Sequence, residues 1–238
     1  MIRLELPATL RQLTAGLFDP ARVSIAEPGA GLAGCMAQAS LLSLPHLLGD
    51  EGVPPLSITA PTAATIRPPT GLRVGLAWAG SPSYRFDRAR SLRLTQLAPL
   101  AAVPDVLFVS LQQSEAADQA RNPPRGMRLI VPDPPPADLA ATACLIGTLD
   151  LVISVDTMIA HLAGTLGTPV WLLDRFGGDW RWQSGFDGGR DWYPSLRRFA
   201  QTEALPPAQA WEAVIAGCAA TLEHYSPAAW RGSSALEC

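Results

Sequence analysis

The chain has 238 residues, a formal net charge of −3, and 48% hydrophobic and 16% charged residues. This length and composition are typical of a globular protein that buries a full core. The small negative charge excludes a general affinity for nucleic acid or for an anionic membrane. No apolar run approaches the roughly 20 residues that span a bilayer, and charges interrupt the amino-terminal segment where a secretory signal is apolar. We therefore expect a cytoplasmic protein with no membrane span and no nucleic-acid partner.

All 18 basic residues are arginine, and the chain contains no lysine. Schiff-base catalysis and a phosphate-binding P-loop lysine are therefore excluded. Any cationic side chain that contacts a phosphate must be an arginine, whose planar fork suits a diphosphate. The four cysteines are far apart and no paired histidines occur, so the sequence predicts neither a disulfide nor a metal site.

The first part of the chain, residues 1–69, is predicted to be a partial amino-terminal α/β domain followed by a linker. We expect a helix over residues 3–17, a short strand over 23–26 and a further apolar element over 36–48. The stretch 52–69 is rich in Pro, Thr and Ala, which is typical of a linker. Such a partial domain either docks on the rest of the chain or pairs with a second copy in a homo-oligomer, and the sequence leaves both open.

In the second part, residues 70–238, strand and helix signals alternate. Short apolar runs predict strands over residues 73–79, 106–111, 127–131, 151–155, 169–173 and 196–200. Helices are predicted over residues 92–103, 114–121, 138–149 and 207–225, with one more between the fourth and fifth strands. Because parallel neighbours need crossover connections, this alternation predicts an α/β fold with a doubly wound, parallel, Rossmann-like sheet.

The most informative segment is 149–174, which contains two of these strands and the helix between them. Ligands of parallel sheets bind beyond the carboxyl ends of the strands, and the free N–H groups of a helix N-terminus suit a diphosphate. Asp156 and Thr157 follow the first strand at the position of a helix cap, and His161 lies one turn further on the same face. Since a carboxylate repels a phosphate, Asp156 either caps the helix or binds a sugar hydroxyl, and we expect the cap. In the alternative interpretation, His161 packs under the sheet and binds nothing.

Four segments, 74–94, 108–113, 150–173 and 179–201, together resemble one known group of proteins. They are similar to the glycosyltransferase-type domain that follows tetratricopeptide repeats in many bacterial proteins. That domain resembles the ADP-heptose:lipopolysaccharide heptosyltransferases and, more remotely, the O-linked N-acetylglucosamine transferases. The resemblance implies a GT-B fold with a shortened amino-terminal domain, in which residues 70–238 form the nucleotide-sugar-binding domain.

The resemblance also implies a site. The pattern of Asp156, Thr157 and His161 lies at the diphosphate in this group, and the turn 134–142 lies beside the nucleobase. The implied ligand is a UDP-, ADP- or GDP-linked sugar, with no further cofactor.

The loop after the first strand of the domain adds further candidates. Gly80 and Ser81 allow close backbone approach to a phosphate. In the related transferases this loop supplies a basic side chain to the diphosphate, and Arg90, followed by Arg88, is the candidate here. Gln112 lies at the end of the second strand of this domain. We expect it to face the crevice beyond the carboxyl ends of the strands and to hold the nucleotide or the sugar there.

The expected activity is transfer of the sugar to an unknown acceptor. The resemblance assigns no general base to this chain, because in the heptosyltransferases the base lies in a part of the amino-terminal domain that has no counterpart here; His161 is conceivable. The alternative is a catalytically inactive nucleotide-binding or assembly module derived from such an enzyme, and a sugar-nucleotide epimerase is a third, weaker hypothesis. The loop 179–182, with Arg190 and Trp192, either stacks on a sugar or base or fastens itself to the domain.

Overall fold

The computed structural model describes residues 1–14, 16–31, 34–49, 71–182, 192–206 and 209–227. The amino-terminal part contains strand β1 (Ile2–Glu5), helix α1 (Ala8–Thr14), strand β2 (Val23–Ala26), a 3₁₀ turn (Leu41–Ser43) and helix α2 (Leu44–Leu48). The predicted strand 23–26 is confirmed, whereas the prediction of a helix from residue 3 is wrong at its start. Residues 2–5 instead pair with β2 as a two-stranded parallel sheet. The predicted linker 52–69 lies outside the described residues.

The second part contains six strands: β3 (Leu72–Ala77), β4 (Val106–Ser110), β5 (Leu129–Ile130), β6 (Leu151–Val155), β7 (Val170–Asp174) and β8 (Leu196–Ala200). Its α-helices are α3 (Asp87–Arg90), α4 (Leu139–Gly147), α5 (Met158–Thr165) and α6 (Glu212–Glu223). Three 3₁₀ helices cover Leu94–Ala102, Glu115–Arg121 and Trp180–Trp182.

The six strands form one sheet in the order β5-β4-β3-β6-β7-β8, and every neighbouring pair is parallel. The chain builds outwards from β3 to β5 and then returns to the other side of β3 with β6. This reversal between β3 and β6 confirms the α/β class with a parallel, Rossmann-like sheet. Crevices at such a reversal are the usual ligand sites of open parallel sheets.

Two predicted helices, over 92–103 and 114–121, are 3₁₀ helices in the structure. Pro99 inside the first has no N–H to donate to a helical hydrogen bond. A 3₁₀ helix has three residues per turn, which aligns Leu94, Leu97 and Leu100 on one face, and all three are at most 1% exposed. The spacing of these leucines therefore matches the 3₁₀ period.

The core lies on both faces of the sheet. On one face, Ile153 of β6 packs in a cluster with the 3₁₀ leucines and with Trp211 and Ile215 beside and within α6. On the other face, Val152 packs with residues of α4 and α5, and Leu13 of α1 packs against this second cluster. Coverage of both faces explains why 151–155 shows no alternation of polar and apolar residues.

Substitution of Gly75, in the middle of β3, tests how tightly this core is packed. A Cβ atom there would lie 2.6 Å from Leu111 Cδ1 and 2.7 Å from Leu149 Cδ1. We expect Gly75→Ala to lower the free energy of unfolding by about 1–3 kcal/mol in urea titrations. The control Gly217→Ala in α6 meets no atom within 4 Å and should raise it by about 0.5–1 kcal/mol. Equal effects of the two substitutions would contradict this picture of the core.

Candidate functional site

The loops that follow β3, β4, β6 and β7 meet at the carboxyl edge of the sheet because the four strands are parallel. The reversal between β3 and β6 places the loop 78–91 beside Asp156 and Thr157. The residues predicted from the sequence therefore lie along one edge. Their contacts show which of them are free to meet a ligand.

Arg90 joins the loop after β3 to the end of β6. Its Nη1 donates a hydrogen bond to the carbonyl oxygen of Asp156 at 2.8 Å, and its Nη2 donates to Asp87 Oδ1 at 2.9 Å. Gly80 lies so close that a Cβ atom would overlap the Arg90 guanidinium. The Gly80 N–H donates to Ser91 Oγ, which in turn donates to Asp87. Arg90 is the side chain predicted to bind a diphosphate, and two of its guanidinium nitrogens already donate hydrogen bonds within the protein.

Gln112 has a similar structural role. Its Oε1 accepts hydrogen bonds from the N–H groups of Trp78 and Ala79 at 2.8 and 2.9 Å. Its Nε2 donates to the carbonyl oxygens of Ala79 and Gln113. Gln112 lies at the crevice as predicted. Because all four of these hydrogen bonds go to backbone groups, its amide links the chain after β3 to the chain after β4.

Ser81 and Arg88, the other candidates in this loop, are exposed. Ser81 Oγ lies 2.8 Å from Ser83 Oγ. Arg88 projects from the short helix α3, and within the described residues no carboxylate forms an ion pair with it. Arg88 is therefore more available to a phosphate than Arg90.

Thr157, not Asp156, is the N-cap of α5. Its Oγ1 accepts from the Ile159 N–H at 3.3 Å and lies 3.2 Å from Ser154 Oγ. The prediction that Asp156 caps the helix is wrong, because the first helical hydrogen bonds go to the carbonyl oxygen of Thr157 and the helix begins one residue later. The carboxylate of Asp156 lies beside His161 instead, with 3.9 Å between Asp156 Oδ1 and His161 Nε2.

His161 lies at the edge of the crevice, and its side chain is 32% exposed. Its ring stacks on Trp182 at 4.9 Å between centroids and 29° between planes, and its Nδ1 lies 3.1 Å from Tyr193 Oη. Burial lowers the pKa of His161, an effect that the carboxylate of Asp156 opposes. The imidazole is therefore neutral at pH 7.

Asp174, at the end of β7, is a buried carboxyl group that the sequence analysis missed. It is 3% exposed, and its Oδ2 lies 3.8 Å from Arg198 Nη1. Its Oδ1 has no hydrogen-bond partner among the described residues, and Gly178 packs so closely that a Cβ atom there would overlap the carboxylate. Burial raises the pKa of Asp174 to about 6. The signal in the sequence was its position directly after the predicted apolar strand 169–173, as Asp156 directly follows the predicted strand 151–155.

The contacts of the loop 179–182 are internal where the structure describes it. Arg181 Nη1 donates to Asp179 Oδ1 at 2.7 Å, and its guanidinium lies 5.0 Å from the ring centroid of Trp180 and 5.4 Å from that of Trp192. These contacts favour the interpretation that the loop fastens itself to the domain. Arg190 lies outside the described residues.

A cavity of about 510 Å³ lies beyond the carboxyl end of β4. The turn predicted to lie beside a nucleobase lines it through residues 135–139 and Thr142, and α1 of the amino-terminal part contributes Thr9. Asp138 caps α4 by accepting a hydrogen bond from the Ala141 N–H at 2.8 Å. The cavity is therefore bounded by both parts of the chain.

The described ranges contain neither a cluster of metal-binding side chains nor a membrane-spanning helix. No three His, Cys, Asp or Glu side chains come together there in a group that could hold a metal ion. No helix in the same ranges has the length and apolar character needed to cross a membrane.

Comparison with known proteins shows a similarity to a bacterial protein. The chain is 30% identical over 161 residues to Protein FlbA of Caulobacter vibrioides. The aligned region covers 66% of this chain and 26% of FlbA, so the chain spans about a quarter of the length of that relative. No family model matches the chain.

The raised pKa of Asp174 predicts a pH-dependent stability. A carboxyl group whose pKa rises on folding from 3.8 to about 6 stabilises the folded state below pH 3.8, and this stabilisation is lost as the pH rises through 6. Relative to Asp174→Asn, the wild type should lose up to about 3 kcal/mol of unfolding free energy between pH 4 and pH 8. Denaturant titrations at several pH values measure this difference.

Asp118→Asn, which removes one negative charge from an exposed side chain, is the matched control for that titration series. A difference between wild type and Asp174→Asn that stays constant from pH 4 to pH 8 would show that Asp174 ionises normally in the folded protein.

Proposed function

We propose that this protein binds a nucleotide sugar, UDP-, ADP- or GDP-linked, at the carboxyl edge of its sheet, and that it is related to GT-B glycosyltransferases. One observation carries the proposal: the cavity beyond β4 and the N-terminus of α5 lie on the same edge, two strands apart. Neighbouring strands are about 4.8 Å apart, so this separation is about 10 Å. That distance suits a ligand with a nucleoside at one end and a diphosphate at the other.

The diphosphate end is supported by the start of α5. The first N–H groups of a helix have no partner within the helix, and they carry the positive end of its dipole. Thr157 places a hydroxyl beside these groups, and the exposed Arg88 can supply the positive charge that a diphosphate requires. Arg90 contributes by holding the Asp156 carbonyl in place.

The nucleoside end is supported by the cavity. Its volume of about 510 Å³ lies within the roughly 300–1,000 Å³ range of small-molecule sites. Pro135, Pro136 and Leu111 provide apolar walls, and Thr9 and Gln113 provide polar groups. A planar base between apolar walls with a few polar contacts fits this lining.

Sugar transfer to an acceptor is the second part of the proposal. The helix N-terminus and an arginine would stabilise the charge that develops on the leaving diphosphate. The alternative is a catalytically inactive nucleotide-binding or assembly module, and it is favoured by the internal hydrogen bonds that occupy Arg90 and Gln112.

Calorimetric titration with UDP, ADP and GDP tests the site. At least one nucleotide should bind the wild type, and Thr157→Ala should weaken its binding about fivefold, since the substitution removes a hydroxyl and a helix cap worth about 1 kcal/mol. Thr221→Ala, on α6, is the matched control and should bind like the wild type. If none of the three nucleotides binds at millimolar concentration, the proposal fails. Binding without hydrolysis or transfer of the sugar would favour the inactive module.

A further inference from the structure

We propose that Tyr193 is a positioning residue that sets the tautomer of His161, so that the imidazole presents its Nε2–H to the crevice as a hydrogen-bond donor. The use of this donor, toward a phosphate oxygen of the bound nucleotide, rests on the proposed function. The positioning itself does not, because it follows from contacts within the chain.

Tyr193 is held rigidly. It is 6% exposed, and its ring lies against α5 at Gly164, where a Cβ atom would overlap the ring. A glycine at this helical position therefore makes room for the aromatic ring. The ring in turn carries its hydroxyl to within 3.1 Å of His161 Nδ1.

The imidazole of His161 is fixed from a second side. Trp182, which is 4% exposed, stacks on the ring, and Tyr193 meets it edge-on with 5.9 Å between centroids. The imidazole plane is therefore determined by two buried aromatic side chains. Its Nε2 is left facing Asp156.

The polar neighbours select one tautomer. The Tyr193 hydroxyl lies 3.1 Å from His161 Nδ1 and donates its proton to an unprotonated Nδ1. The neutral imidazole then carries its proton on Nε2. Asp156 favours the same arrangement, because a carboxylate at Nε2 only accepts.

The Nε2–H remains available to a ligand. The distance of 3.9 Å from His161 Nε2 to Asp156 Oδ1 is too long for a hydrogen bond. The Nε2–H group can therefore donate to an oxygen atom of a ligand that enters the crevice. Burial lowers the pKa of His161, the charges of Asp156 and Asp179 raise it and that of Arg181 lowers it, which leaves the ring neutral at pH 7. A protonated Nε2 cannot accept a proton, so this tautomer assigns His161 as a donor and not as the general base.

Nitrogen-15 NMR of the full chain tests the assignment. The protein has three histidines, and long-range ¹H–¹⁵N correlations distinguish the two tautomers of each. His161, identified by its loss in His161→Gln, should be the Nε2–H tautomer at pH 7.5. In Tyr193→Phe this preference should weaken, because only Asp156 then favours it, and the pKa of His161 should rise because the neutral ring loses an accepted hydrogen bond. The exposed His46 and His224 serve as internal controls and should not change.

Gly164→Ala provides a second variant, because it displaces the Tyr193 ring while keeping the hydroxyl. It should alter the tautomer and pKa of His161 in the same direction as Tyr193→Phe. An Nδ1–H tautomer in the wild type, or a Tyr193→Phe variant whose His161 tautomer and pKa match the wild type, would overturn the positioning role.

Nucleotide titrations of the same variants separate the two proposals. Tyr193→Phe should weaken binding roughly threefold to tenfold, the value of one hydrogen bond. If wild type and Tyr193→Phe bind equally well while the tautomer changes, the donor role toward phosphate is overturned. If neither binds and the tautomer responds as expected, the proposed function fails and the positioning of His161 is supported.

Discussion

The hydrogen bond from Arg90 to the carbonyl oxygen of Asp156 is the contact on which the candidate site depends. It joins the loop that follows β3 to the residue that follows β6, beyond the last paired residues of these two neighbouring strands. The bond holds the backbone directly before Thr157, whose side chain caps the start of α5. The position of His161, one turn later, follows from that start. Gly80 is part of the same arrangement, since a side chain there would displace the guanidinium.

Much of the fold could be predicted from the sequence. The strands 23–26, 151–155 and 196–200 match the prediction to the residue, and the parallel sheet followed from the alternation of strands and helices. The strand at 2–5 was missed because its apolar residues also fit the start of a helix. The helix type over 94–102 could not be predicted, because leucines three apart suit both the α and the 3₁₀ period over a short stretch.

The candidate site was harder to predict, because its details depend on backbone atoms far away in the sequence. The sequence located Thr157 and His161 at one edge, but it could not show that Gln112 bonds the backbone 33 and 34 residues away or that Arg90 bonds a carbonyl 66 residues away. The burial of Asp174 likewise depends on how the following loop folds back over it. Residue type and spacing therefore indicate where a site lies, and the local hydrogen bonds decide which side chains are free.

The cavity beyond β4 has one wall from each part of the chain, since Thr9 of α1 faces residues of the β4 loop and α4. A ligand in it would touch both walls, so its binding energy would also hold α1 against α4. By thermodynamic linkage the effect is reciprocal: any event that releases α1 from the sheet domain would reduce the affinity for the ligand by the same free energy. Ligand binding in the cavity and the packing of α1 on α4 would then strengthen each other.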